Sequence, residues 1–401
     1  MTPAARALGI IGLGISVVLA TGGGALRADE PAFYQWDDTI PDQPGRLLRT
    51  EALPAELRID GVGEQFRILY SSIDGITDEP IVVSGLFLLP EAPPPDEGWP
   101  LLAWAHGTTG ISDACAPSRA GPGSAVRDYL RAWLDEGYAV VATDYQGLGT
   151  PGLHPYLVKR AEGRSVLDSI RAAYEVREDL APDVVIAGQS QGGGAAFASA
   201  AIAPDYAPDV PLLGTIATGL PYLTADMPTA SAVPPDQVDP GLAYMFYVAH
   251  VATALDPSLE VEELISRQAL PVFQDAERLC IGELMGRVRD VGLTGADTLR
   301  PGAIARMIPT LLPHYVYPTL QLEQPILIAT GTEDRDVDPR GQLMLVRDSC
   351  QAGSVVRARL FAGEDHSGAW LASLDEAIGF AAALRSGEPI EPDCAPEPVP
   401  R

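Results

Sequence analysis

Residues 183–202, DVVIAGQSQGGGAAFASAAI, indicate the fold of this chain. This stretch opens with an apolar run typical of a strand buried on both faces and closes with the small residues of a helix. At the junction, Ser190 is the serine of a Gly-x-Ser-x-Gly motif, GQSQG. A serine on such a turn takes strained backbone angles and lifts its hydroxyl above the sheet, where it can react. The motif therefore predicts that Ser190 is a nucleophile, rather than a serine in an ordinary glycine-rich loop.

Strand and helix patterns alternate along most of the chain. Apolar runs typical of buried strands, preceded by two opening strands at 64–73 and 80–89, lie at 99–107, 138–145, 183–190, 211–219, 324–331 and 354–361. Helical patterns lie at 124–137, 164–178, 191–202, 339–350 and 369–387. This alternation predicts an α/β fold in which helices flank a mostly parallel central sheet on both sides.

The alternation stops over residues 219–313, which carry helix-like apolar patterns and no convincing strand. Within them, GLAYMFYVAHVATAL at 241–255 has no charged residue. This stretch is either a helix buried in a core or the underside of a cap that faces a ligand, and the two interpretations are compatible. The position favours a helical cap, inserted between two parts of one core, residues 29–218 and 314–401.

The first 28 residues predict export. Arg6 is followed by an apolar run and then by small residues, and the next charged residue is Arg27. This is the layout of a secretory signal peptide, although an uncleaved membrane anchor has a similar pattern. We therefore expect a secreted or periplasmic protein. The net charge of −27 argues against nucleic acid and anionic membrane surfaces as partners.

A reactive serine needs a base, and the base needs a group that orients it. Of the five histidines, His366 follows the last strand pattern, where the base of this type of fold is expected. The acid is expected after the preceding strand, where Asp334 is the first aspartate and Asp336 is the alternative. The order Ser190, Asp334, His366 is the one that an α/β-hydrolase requires.

An acyl-transfer site also needs two N–H groups that bind the negative oxygen of the intermediate. One is expected from Gln191, the residue directly after the nucleophile. The other is expected from the loop HGTTG at 106–110, where Gly107 allows a turn that directs the Thr108 N–H to the site. Thr109 would replace Thr108 if that turn were one residue longer.

The four cysteines, Cys115, Cys280, Cys350 and Cys394, are an even set in a chain predicted to be exported. No CxxC and no paired Cys and His spacing suggests a metal site, so disulfides are the better interpretation. The spacing alone allows three pairings. The sequence shows no motif for a metal ion or an organic cofactor. In particular, Gly147 and Gly149 do not form a nucleotide-binding fingerprint.

Five motifs in order give the chain a family resemblance. They are HGTTG (106–110), DYQGLGTPG (144–152), GQSQGG (188–193), GTEDRDVDP (331–339) and GEDHSG (363–368). With them the chain resembles the secretory lipase family from about residue 35 to the last cysteine. The resemblance implies an α/β-hydrolase fold with a helical cap between the nucleophile and the acid, and a Ser190, Asp334 and His366 triad.

The resemblance also implies hydrolysis of carboxylic esters, often acylglycerols, without a cofactor. It further implies disulfides between Cys115 and Cys280 and between Cys350 and Cys394. One position departs from the family pattern, because yeast-type members tend to have glycine where this chain has Gln191. The backbone N–H is present with either residue, so this difference concerns the acyl pocket and its preference for chain length.

The residues together predict a secreted serine hydrolase of the lipase or carboxylesterase type, which acts through an acyl-enzyme. Its partner would be a small-molecule or lipid ester, with transient contact to a lipid interface through the cap. A peptidase, an amidase or an acyltransferase would use the same triad. A non-catalytic binding module on the same scaffold is the alternative from a different class, since fold alone does not secure activity.

Overall fold

The computed structural model describes residues 32–224 and 233–399. The predicted signal peptide, residues 1–28, lies outside the described residues. Within those two ranges, no helix has the length and apolar character that a bilayer span requires.

A ten-stranded sheet forms the centre of the molecule. The strands are β1 (Leu47–Ala52), β2 (Gln65–Ile73), β3 (Pro80–Leu88), β4 (Trp99–Ala105), β5 (Ala139–Thr143), β6 (Leu180–Gln189), β7 (Leu212–Thr218), β8 (Ile326–Gly331), β9 (Val356–Phe361) and β10 (Pro398–Val399). They lie side by side in the order β1-β2-β3-β5-β4-β6-β7-β8-β9-β10. The pairs β1–β2, β2–β3 and β3–β5 are antiparallel. Every other neighbouring pair in this order, from β5 through β4 to β10, is parallel. The predicted mostly parallel sheet is confirmed.

Helices connect the strands. Those before β7 are α1 (Pro117–Ala120), α2 (Ser124–Asp135), α3 (Lys159–Val176) and α4 (Gln191–Tyr206). Between β7 and β8 lie α5 (Leu242–Leu255), α6 (Val261–Leu264), α7 (Leu270–Asp275), α8 (Ile281–Val291), α9 (Gly295–Thr298) and α10 (Ala303–Tyr315). The last three are α11 (Pro339–Ala352), α12 (His366–Ala372) and α13 (Leu374–Ser386).

Alternate residues of the central strands enter two hydrophobic clusters. In β6, Val184 and Ile186 belong to the cluster that includes residues of α3, α4 and α11. Val185 and Ala187 belong to the cluster that includes residues of α2 and α13. Because successive side chains of a strand point to opposite faces, the two clusters lie on opposite faces of the sheet. Helices on both faces explain why the strands appear in the sequence as uninterrupted apolar runs.

The described helices between β7 and β8, here called the helical insertion (Leu242–Tyr315), supply most of the residues of a third hydrophobic cluster. The uncharged helix α5 supplies Phe246 and Tyr247, which are fully buried in it. Residues of the core before α3, among them Tyr156 and Val158, join the same cluster. The insertion therefore packs directly on the segment that leads into α3.

Two disulfides join distant parts of the chain. Cys115, in the loop after β4, is bonded to Cys280 at the N-terminus of α8, with 5.4 Å between the Cα atoms. Cys350, in α11, is bonded to Cys394 near the C-terminus, with a Cα separation of 6.2 Å. These are the pairs that the family resemblance implies. The first one ties the helical insertion to the core.

Candidate active site

Ser190 occupies the turn between β6 and α4. Its backbone has φ 60° and ψ −123°, one of four positive φ values at residues other than glycine in the described chain. The Ser190 N–H donates to the carbonyl of Thr218 at 2.8 Å, which fixes the turn against the end of β7. A Cβ atom on Gly192 would lie 1.9 Å from the carbonyl oxygen of Ala105, so only glycine allows this close approach. The strained turn expected from the motif is present, and Ser190 is half-buried at its tip.

Asp334 and His366 form a buried acid–base pair. Nδ1 of His366 lies 2.7 Å from Oδ2 of Asp334, and Oδ2 also accepts a hydrogen bond from Nε2 of Gln342 at 2.9 Å. Oδ1 accepts from the backbone N–H groups of Asp336 at 3.0 Å and Val337 at 2.9 Å. These four donors fix the orientation of the carboxylate and, through it, that of the imidazole ring. Nε2 of His366 is buried and has no hydrogen-bond partner among the described residues.

The end of β7 brings this pair next to the serine turn. A Cβ atom on Gly219 would lie 2.8 Å from Cε1 and 2.9 Å from Nδ1 of His366, so the imidazole packs against the backbone of Gly219. Gly219 directly follows Thr218, whose carbonyl accepts the hydrogen bond from Ser190. The three predicted residues thus follow the carboxyl ends of β6, β8 and β9, which lie on the two sides of β7.

The environment of His366 sets its charge. Burial lowers the pKa of the imidazole, but the hydrogen bond from Nδ1 to Asp334 and the charges of Asp334, Asp336 and Asp365 outweigh burial and raise the pKa above its ordinary value. Asp334 therefore stabilises the imidazolium, which is the state that a general base reaches after it takes a proton.

The two predicted oxyanion donors flank Ser190. Gln191 begins α4, and the first N–H groups of a helix have no acceptor within it. The loop after β4 passes beside the serine, since a Cβ atom on Gly107 would lie 3.5 Å from Cβ of Ser190. Within the described residues, the Thr108 N–H has no acceptor. Thr109, the alternative, has its carbonyl bonded to the N–H of Ile281 at 2.8 Å, which fixes the loop to α8.

Three other histidines are bonded to backbone carbonyls. Nδ1 of His106 lies 2.7 Å from the oxygen of Gly107, and Nδ1 of His154 lies 2.9 Å from that of Gln146. Nε2 of His250 lies 2.9 Å from the oxygen of Phe273. Burial lowers the pKa of His106 and of His154 to about 4, so both rings are neutral near pH 7.

One group within the described ranges has ligand atoms close enough to share a metal ion. It consists of Asp334, Asp336 and His366, whose ligand atoms lie within 4.8 Å of one another. The hydrogen bond between Nδ1 of His366 and Oδ2 of Asp334 already uses two of these atoms. The group is therefore better described as the acid–base pair and its neighbour than as a metal centre.

The polar residues behind the site have no marker in the sequence. Gln342 fixes Asp334, and Glu162, His154 and Tyr156 contact the two predicted oxyanion residues. The only sequence signal near them is Lys159, the single lysine in the chain, which lies 3.6 Å from Glu162 and is buried with it. A lysine and a glutamate three residues apart in a helix are usually exposed, so the sequence does not indicate their burial.

The sequence matches the family described as secretory lipase over residues 127–389. Among solved structures, Candida antarctica lipase A in its closed state is similar, with a TM-score of 0.73 and 17% identity over 92% of this chain and 89% of that one. A ligand-bound form of the rice cell wall degrading esterase LipA from Xanthomonas oryzae has a TM-score of 0.65 and 20% identity, over 86% of this chain and 98% of that one. Both likenesses show the α/β-hydrolase fold. A search of curated proteins gives no match.

Proposed function

Since the chain belongs to the secretory lipase family, we propose that it hydrolyses carboxylic esters through an acyl-enzyme on Ser190. The observation that carries this proposal is the 2.7 Å contact between Nδ1 of His366 and Oδ2 of Asp334. The imidazole packs against Gly219, and the preceding residue, Thr218, accepts a hydrogen bond from the N–H of Ser190, which has φ 60° on the turn between a buried strand and a helix. A nucleophile, a base and an orienting carboxylate are the groups that serine-based acyl transfer requires.

The proposed reaction proceeds in two halves. Nε2 of His366 takes the proton of the Ser190 hydroxyl as its oxygen attacks the ester carbonyl, and the same proton then goes to the leaving alcohol. Water, activated by the same nitrogen, attacks the acyl-enzyme and releases the carboxylic acid and free Ser190. The N–H groups of Gln191 and Thr108 hold the negative oxygen in both halves, each donor contributing about 3 kcal/mol to stabilisation of the transition state.

We propose that the helical insertion is a cap over this site. Its last helix ends at Tyr315, two residues beyond the predicted cap boundaries 219–313, which lie between core parts 29–218 and 314–401. Its uncharged helix α5 and the hydrophobic cluster that it mostly supplies favour a substrate with a hydrophobic acyl group. We place the protein outside the cytoplasm, in keeping with the predicted signal peptide and the family description. Lipid esters and smaller acyl esters both suit such a cap.

Hydrolysis of p-nitrophenyl esters from acetate to palmitate tests the proposal, with the wild-type protein and Ser190→Ala compared. Ser386→Ala, which changes an exposed serine in α13, is the matched control. We expect turnover by the wild type and the control, and none above background by Ser190→Ala. A fluorophosphonate should label Ser190 in the same two proteins.

The chain length that gives the highest kcat/KM then distinguishes a lipase from a carboxylesterase. Equal inactivity of wild type and Ser190→Ala on every ester, without fluorophosphonate labelling, would exclude serine ester hydrolysis. Labelling of Ser190 without ester turnover would instead direct the search to amides.

A further inference from the structure

The side chain of Gln191 is fixed at its amide by two buried residues. Gln191 is 2% exposed, and its Nε2 lies 2.9 Å from Oε1 of Glu162 and 3.1 Å from Nε2 of His154. A side-chain amide nitrogen has two hydrogens, and here each has an acceptor. Both acceptors belong to the segment of residues 154–162, which we call the clamp segment.

The hydrogen-bond directions in this contact follow from the neighbours of His154. Nδ1 of His154 faces the carbonyl oxygen of Gln146 at 2.9 Å, and a carbonyl can only accept, so Nδ1 carries the proton. Burial lowers the pKa of His154 to about 4, so the ring is neutral and Nε2 is free to accept from Gln191. Oε1 of Glu162 also accepts from the N–H of Leu157 at 3.0 Å, which holds the carboxylate in place.

The clamp segment also contacts the other predicted oxyanion residue. The hydroxyl of Tyr156 lies 2.8 Å from Oγ1 of Thr108. Tyr156 itself is buried, and its ring packs edge-to-face on Tyr247 of α5, with 5.6 Å between the ring centroids. One short segment therefore holds the side chains of both residues whose backbone N–H groups are proposed to bind the oxyanion.

We propose that the clamp segment is the positioning element of the oxyanion hole, in which Glu162 and His154 hold Gln191 and Tyr156 holds Thr108. This inference rests on the proposed function. Gln191 and Thr108 act through their backbones, so their side chains serve to set where the two N–H groups point. Because such donors act on charge that develops in the transition state, their displacement lowers kcat and leaves KM nearly unchanged.

The test compares Gln191→Leu and Tyr156→Phe with the wild type on p-nitrophenyl butyrate and its thionoester. Both variants retain the backbone N–H groups and lose only the clamp contacts. We expect kcat on the ester to fall about 10-fold or more in each, with KM within about twofold, because small displacements of catalytic groups are costly. Tyr174→Phe is the matched control, since it removes a hydroxyl that donates to the carbonyl of Ala181 at 2.8 Å, in a contact unrelated to the proposed oxyanion residues.

The ratio of ester to thionoester rates separates positioning from loss of stability. Sulfur accepts hydrogen bonds more weakly than oxygen, so an intact oxyanion hole favours the ester and a displaced one favours it less. We expect the ratio to fall in both variants and to stay at the wild-type value in Tyr174→Phe. If Gln191→Leu does not fold, the ester-to-thionoester ratio of Tyr156→Phe alone tests the positioning role.

Ser190-dependent turnover of the wild type with an unchanged kcat and an unchanged ratio in the variants would overturn this inference and leave the proposed function intact. A fall in kcat with an unchanged ratio would also overturn it, because the loss would then not concern the oxyanion. Absence of Ser190-dependent turnover in the wild type would remove the proposed function, and the oxyanion role with it.

Discussion

In the proposed mechanism His366 accepts the proton of Ser190, which requires a neutral imidazole. Burial lowers its pKa, and the contact with Asp334 together with the charges of Asp334, Asp336 and Asp365 raises it to a net value above the ordinary one. A raised pKa means that the ring stays protonated to higher pH, so kcat/KM should increase with pH through a midpoint above about 6.5.

Asp336→Asn tests the source of this shift. It removes one of the negative charges near the ring, and its amide oxygen can still accept from the hydroxyl of Tyr244, which lies 3.2 Å from Oδ1. We expect the midpoint of the pH profile to move to lower pH, whereas Asp290→Asn, a change of an exposed aspartate in α8, should not move it. A midpoint that moves upward or stays in place would contradict the charge assignment.

Gly219 offers a second test at the scale of one residue. Its φ is +57°, and a Cβ atom would lie 2.8 Å from Cε1 of His366, so Gly219→Ala should displace the imidazole. We expect kcat to fall about 100-fold or more, with a stability loss of about 1–3 kcal/mol from backbone strain.

Gly292→Ala is the matched control, because Gly292 has φ +72° and no atom within 4 Å of the added Cβ. It should lose similar stability and keep its kcat. Thermal unfolding measures the loss of stability, and kcat on one soluble ester measures the effect of displacing the His366 imidazole. Equal kcat in both variants would show that the space beside His366 is not needed.

The proposed reacting residues could be named from the sequence, whereas the buried polar residues that contact them could not. Ser190, Asp334 and His366 each follow a strand that is recognisable as an apolar run, so their position at one edge of the sheet is predictable. Glu162 and His154 have no such marker. Their contacts are with Gln191 at the start of α4 and with backbone groups of the loop between β5 and α3, and no local pattern indicates them. Buried polar residues are recognisable only once the contacts that bury them are known.

At the scale of elements, strands covered on both faces were predictable and edge strands were not. The pattern at 183–190 corresponds to β6, and the pattern at 324–331 corresponds to β8. β1 is at the edge of the sheet and its residues are half-buried or exposed, so the sequence LLRTEA carries no clear pattern. β10 has two residues and pairs with β9 near the disulfide of Cys394, a contact that no local pattern encodes.

The disulfide between Cys115 and Cys280 is expected to matter for catalysis as well as for stability. It closes a loop with a sequence separation of 165 residues, and beside it Ile281 donates to the carbonyl of Thr109 in the predicted oxyanion loop. We expect a Cys115→Ser, Cys280→Ser double variant to lose about 5 kcal/mol on the chain-entropy model and to lose kcat in the fraction that stays folded.

The second disulfide is the control for this prediction. Cys350→Ser with Cys394→Ser opens a loop with a separation of 44 residues, with an expected loss of about 4 kcal/mol and no effect on kcat, since neither cysteine contacts the site. Denaturant unfolding measures the stability, and active-site titration with a fluorophosphonate corrects kcat for unfolded protein. Equal kcat per labelled site in the two double variants would contradict a role for the first disulfide in the oxyanion loop.

At the scale of the whole molecule, the net charge of −27 should govern encounters with lipid particles. Hydrolysis of a long-chain ester in anionic vesicles should accelerate as salt rises from about 10 mM to about 150 mM, because the Debye length falls from about 30 Å to about 8 Å and repulsion is screened. Zwitterionic vesicles and soluble p-nitrophenyl acetate are the controls and should show little change. A rate that falls with salt on anionic vesicles would indicate a local basic contact that outweighs the overall charge.

The crosslink between Cys115 and Cys280 also has a mechanical consequence. The helical insertion is connected to the sheet by the chain after Thr218 and before Ile326. These two connections alone would allow it to rotate as a rigid body about the line between them. The disulfide adds a third attachment, at the loop that passes beside Ser190. Three attachments restrict rotation of the insertion as one rigid body about the line between its two chain connections. We therefore expect substrate to enter through rearrangement among the helices of the insertion, rather than by the opening of the insertion as one rigid piece.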